Sequence, residues 1–155
     1  MKRLLLTLLA LTSFLSSAVL ARDEKTALEE FKKDITTLNT WHDEREKEFK
    51  GPLDAVNALG EMSTKLKAIN TDGLPADVKD PWIGLLAGLD KVLALTAELP
   101  KDAEALTKKF QDPAFMQAFG TKMEAIEKEV KPHAEKLQAA GKKYGIEGIE
   151  KIGPK

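Results

Sequence analysis

The residues that most restrict the fold are Phe119, Met123, Ile126, Val130, His133, Leu137, Ala140 and Tyr144. They recur at alternating spacings of four and three. Such a recurrence puts them on one face of a single long helix, and an apolar helix face of that length must be covered by partners. The rest of the chain is expected to supply those partners.

The first 21 residues stand apart. Lys2 and Arg3 precede an almost unbroken apolar run over 4–15, and Ala18-Val19-Leu20-Ala21 has the small-x-small form of a signal-peptidase site. The run is too short for a lasting membrane span. The expectation is an N-terminal signal peptide over 1–21, cut after Ala21, and one helical domain over 22–155. The mature chain would be periplasmic or secreted, with no integral membrane segment left after cleavage. At about 134 residues it can bury a core unaided. It must do so, because the sequence contains no cysteine and so forms no disulfide.

A first helix is expected over 24–49, with Thr26 and Glu29 as a capping box. Its seam is Leu28, Phe31, Ile35, Leu38, His42, Arg45 and Phe49, apolar until it turns polar at His42 and Arg45. Gly51-Pro52 ends it and starts the second helix, over 53–70, with Val56, Leu59, Met62, Leu66 and Ile69 inward. Asp72-Gly73 and Pro75 mark a turn. Asp80-Pro81 reads as the cap of a third, very apolar helix over 82–99, in which Gly84 and Gly88 permit close approach. A short helix follows over 102–110. Asp112-Pro113 then launches the long one, which Pro132 either bends or divides in two. Ile146, Ile149 and Ile152 can tuck the C-terminus back. With short connections the expected fold is all-α, an up-down four-helix bundle with one additional short helix.

After the cut, 22 basic residues face 25 acidic ones, a balance of about −3. That argues against nucleic acid as a partner, which wants a net basic surface. Ser63 is the only serine after residue 21 and has no histidine at useful spacing, and a convex bundle offers acid pairs no cleft. The expectation is a protein that is not an enzyme and needs no cofactor. It would act as a binding or interaction module, monomer or homodimer, with a protein partner able to dock on an apolar helix face beyond Pro132. The alternative is a metal or haem carrier. His42 with Glu46, and Glu129 with His133, are each one helical turn apart, a spacing that can chelate a divalent metal.

A leader followed by a cysteine-free helical bundle with an interior histidine on its last long helix resembles the cytochrome b562 type of periplasmic bundle. The similarity is one of layout over the whole mature chain. It implies haem b held between a methionine of the first helix and a histidine near the end of the last. His133 is the position that carries over. The first helix offers His42 where that family has methionine, and Met62 and Met123 are the methionines left to line a haem slot.

Overall fold

The computed structural model describes residues 22–152; the expected signal peptide lies outside them. Five helices follow in order: α1 (Glu24–Glu46), α2 (Pro52–Ala68), α3 (Ala76–Ala97), α4 (Ala103–Gln111) and α5 (Pro113–Tyr144). A 3-10 turn over Ile149–Lys151 closes the chain. No strand occurs among the described residues, and no helix there is long and apolar enough to cross a membrane.

Each start has a local cause. Asp23, rather than Thr26 and Glu29, caps α1: its carboxylate accepts from the Thr26 N–H at 3.0 Å and the Thr26 hydroxyl at 2.7 Å. Asp54 accepts from the backbone N–H groups of Lys50 and Gly51 at the head of α2. Asp102 caps α4 through the Ala105 N–H, and Asp112 caps α5 through the N–H groups of Ala114 and Phe115. Helix α3 starts at Ala76, six residues before its expected start, and carries Pro81 inside it. Proline removes one backbone bond, but Val78 and Trp82, one turn apart, are both buried on the same face. Burying two such side chains outweighs one lost bond. Helix α5 runs unbroken through Pro132.

The main core gathers Phe31 and Ile35 of α1, Val78 and Trp82 of α3, Ala134, Leu137 and Ala140 of α5, and Ile146 and Ile149 beyond it. The Phe31 and Trp82 rings meet edge-on, centroids 5.1 Å apart at 82°. Gly145, at φ 65°, ends α5 in the left-handed conformation that glycine adopts without penalty. The chain then turns back, as Ile146 and Ile149 lead one to expect, and Asn39 donates to the Gly148 carbonyl at 3.1 Å. A separate aromatic group, Phe110 with Phe115 and Phe119, sits where α4 meets α5, centroids 5.5–5.8 Å apart.

Helices α3 and α5 run antiparallel in close contact: Asp77 meets Lys143 and Tyr144, Gly84 meets His133, Gly88 meets Val130 and Lys91 pairs with Glu129. Helices α1 and α2 are antiparallel too, with Arg45 bonded to Glu61 at 3.1 Å and Lys65 over the Trp41 ring at 5.1 Å.

The Asp77 clip has a testable pH signature. Lys143 Nζ lies 2.7 Å from Asp77 and the Tyr144 hydroxyl 3.0 Å. The Lys143 ammonium, with help from Tyr144, holds the Asp77 carboxyl below its ordinary value, and Asp77 in turn raises Lys143. A lowered acid pKa stabilises the fold above its unfolded value, about 3.9, and that gain is lost as pH falls through the folded value. A raised lysine stabilises below about 10.4 and loses the gain as pH rises through its folded value. Asp77→Asn is therefore expected to lower the melting temperature slightly at neutral pH. The difference from the parent should vanish as the pH is taken down from about 4. A difference that persists unchanged in acid would mean the clip is not ionic.

Candidate functional site

Short of the main core, the helices do not close on one another. Between them lies an apolar cavity of about 410 Å³, toward the lower end of the range for small-molecule sites. Its longest wall is α3, with Trp82, Leu85, Leu86, Gly88, Leu89 and Val92. Ten residue steps at 1.5 Å make that wall about 15 Å long. Helix α2 adds Leu59, Met62 and Leu66; α5 adds Met123, Ile126, Glu127 and Val130; α1 adds Leu38, Asn39 and His42. Lys151 and Ile152 of the folded-back C-terminus complete it. The expectation of a convex bundle without a cleft is thus corrected: apolar seams from α1, α2, α3 and α5 face a space none of them fills.

The polar groups collect where α1 meets the C-terminal turn. Lys151 Nζ lies 3.1 Å from Asp43 Oδ2, and His42 Nδ1 lies 3.8 Å from Asp43 Oδ1. The Lys151 ammonium, with a smaller contribution from His42, holds the Asp43 carboxyl below its usual range. Asn39 is engaged with the Gly148 carbonyl. Lys151 is thus already neutralised by Asp43.

One buried polar group in this wall is left over. Trp82 is 1% exposed, and its indole Nε1–H meets no acceptor among the described residues. A buried donor without a partner costs about 1–3 kcal/mol, so it marks a place where a partner is to be expected. Sequence pattern alone reads Trp82 as a core or core-edge residue and gives no sign of its unsatisfied donor.

The residues singled out from the sequence separate into two groups. His42, Met62 and Met123 share the cavity. His133 is not in its wall; it is half-buried and stands over Gly84 in the α3–α5 contact. Glu129 is paired with Lys91. Glu46 is exposed at the end of α1, and Arg45, where the seam turns polar, bonds Glu48 and Glu61. Among the described residues no three His, Cys, Asp or Glu side chains gather as a metal site would require. Beyond Pro132 the apolar residues Ala134, Leu137 and Ala140 are buried in the core, so the face considered there for a protein partner is already covered. A second depression, lined by Asp77, Asp80, Lys136 and Lys143 among others, is charged, and its Asp77 and Lys143 satisfy each other.

Comparison with protein-family models, with curated proteins and with solved structures gives no match.

Proposed function

We propose that the chain is an exported, non-enzymatic four-helix bundle of up-down arrangement that binds one small apolar molecule between its helices. The leader-like 1–21 stretch supports export. The antiparallel pairs α1–α2 and α3–α5, with α4 as the additional short helix, support the arrangement. The cavity of about 410 Å³ carries the binding reading, because thirteen of its eighteen lining residues are Leu, Met, Val, Ile or Trp. Apolar walls with a few polar groups at one side are the usual make-up of a small-molecule site. Chemistry on the ligand has little support, since the polar residues of the wall include no nucleophile-base pair.

The test is titration of residues 22–155, recovered from a bacterial periplasm, with the apolar dye Nile red. Saturable binding of one dye per chain is expected. Val92→Phe, which fills the slot from α3, should weaken it by about tenfold or more, near 1.4 kcal/mol, with the fold intact by circular dichroism. Absence of saturable binding, or binding indifferent to Val92→Phe, would overturn the reading. A purified chain that still begins at Met1 would remove the exported part.

A specific observation favours a second reading, a haem b carrier. His42, Met62 and Met123 line the same cavity, and imidazole and thioether are both haem-iron ligands. The ligand types suit the group, and His42 rather than His133 is the imidazole at this cavity. When bound, haem would supply electron-transfer chemistry. Native mass spectrometry separates the readings: a haem mass lost in His42→Ala supports the carrier, and an apo mass supports the apolar-ligand protein.

A further inference from the structure

We infer that the molecule held in the cavity is uncharged and carries a hydrogen-bond acceptor, a carbonyl or ether oxygen on an apolar body, which the Trp82 indole N–H binds. The inference rests on the cavity being the binding site. Two independent observations carry it beyond that reading.

The first is the orphaned donor. Trp82 stands in the cavity wall, is 1% exposed, and finds no acceptor for Nε1–H among the described residues. Buried polar groups in folded proteins nearly always have partners. Phe31 stands edge-on to the ring, and the buried cluster Trp82 belongs to is made of hydrocarbon side chains. The nitrogen itself is covered, so an acceptor held in the cavity reaches it only by displacing part of the wall. Met62 and Met123 in that wall are unbranched and adaptable.

The second is the charge at the polar side. A carboxylate ligand would have to compete with Asp43, 3.1 Å away, for Lys151. Glu127, exposed in the α5 wall, adds a negative charge. An ammonium ligand could meet Glu127 only at the exposed Val92 end of the wall, and beside Trp82 it would bury its charge unpaired. A neutral oxygen carries no such cost and answers the unmet Trp82 group, which is a donor.

The experiment compares two probes of equal length, nonane and 2-nonanone, on residues 22–155 labelled with ¹⁵N at the indole nitrogens. The sequence has only two tryptophans, and Trp41→Phe assigns their signals. The ketone is expected to bind roughly tenfold more tightly than the alkane. It should shift the Trp82 indole proton downfield and leave the Trp41 signal, at the Lys65 contact, in place. Nonanoate should bind more weakly than the ketone. In Trp82→Phe the preference for ketone over alkane should disappear while alkane binding remains. If both probes bind equally and the Trp82 signal is unmoved, the acceptor inference fails and the apolar site stands. If neither binds, the site itself is wrong and the inference falls with it. Should Trp82→Phe fail to fold, the indole shift in the parent decides alone.

Discussion

Phe31→Ala is expected to cost about 3–5 kcal/mol in a urea titration, the range for deleting a buried aromatic side chain. Phe31 is fully buried on α1 and meets Trp82 of α3 edge-on at 5.1 Å. Its removal takes away transfer free energy and the aromatic pair, itself worth about 0.5–1.5 kcal/mol. It also leaves a hole between two helices that the sequence never places side by side. Against a total stability of about 5–15 kcal/mol, such a loss brings the domain close to unfolding. Phe31→Leu, which keeps most of the volume, should cost much less, about 1.5 kcal/mol. Phe119→Ala is the contrasting variant. Phe119 is only half-buried in the aromatic group at the α4–α5 corner, so its loss should be clearly smaller. If Phe119→Ala proved the costlier of the two, the centre of stability would lie at the wrong end of the molecule. Phe31 also braces the ring that lines the cavity, so Phe31→Ala should weaken Nile red binding even where the fold survives.

The seam of the long helix was legible where it is packed and misleading where it is not. Val130, Leu137 and Ala140 are buried as their spacing predicts, but Phe119, Met123 and Ile126, at the same spacing, are half-buried. Periodicity tells which face of a helix is apolar; it does not tell how tightly the opposite helices close on that face. The cavity lies in that gap in the argument. Met62 and Met123 were named as slot-lining residues only through the resemblance to a haem bundle, while Leu59 read as an ordinary inward residue and Leu86 and Val92 went unmarked within a very apolar helix. His42 shows the reverse error. The three-four spacing puts it in the α1 seam, yet its side chain is 52% exposed, because the core it would join ends one turn earlier at Leu38. The early start of α3 was hidden by Pro81, a local stop signal that burial of Val78 and Trp82 overrides. Thr26 and Glu29 have the spacing of a capping box, but the carboxylate one residue before the helix wins because both Thr26 donors can reach it.

Gly88→Ala should destabilise the protein by about 1–3 kcal/mol, the cost of overpacking a closed contact. Glycine inside a helix is unfavourable by about 0.5–1 kcal/mol relative to alanine, so the opposite sign would hold if only propensity acted. A Cβ at Gly88 would overlap the Val130 side chain of α5. Val130 is β-branched and helical, with one strongly preferred rotamer, and has no easy way to withdraw. The clash must push α3 and α5 apart along the contact that also places Trp82, Leu85 and Leu89 on the cavity. Gly84→Ala meets the His133 ring instead. That ring is half-buried and can swing outward, so the cost there should be smaller. Gly60→Ala in α2 and Gly120→Ala in α5 are the controls. A Cβ at either meets nothing within 4 Å, and both should stabilise by about 0.5–1 kcal/mol through propensity alone. The double variant Gly88→Ala with Val130→Ala should be less destabilised than the two single losses added together, by about 1–3 kcal/mol, since the new methyl then occupies the space the valine vacates. Simple additivity would mean that the two helices do not touch at this point. Agreement in sign at all four glycines would fix the α3–α5 contact, and with it the wall on which the binding site depends.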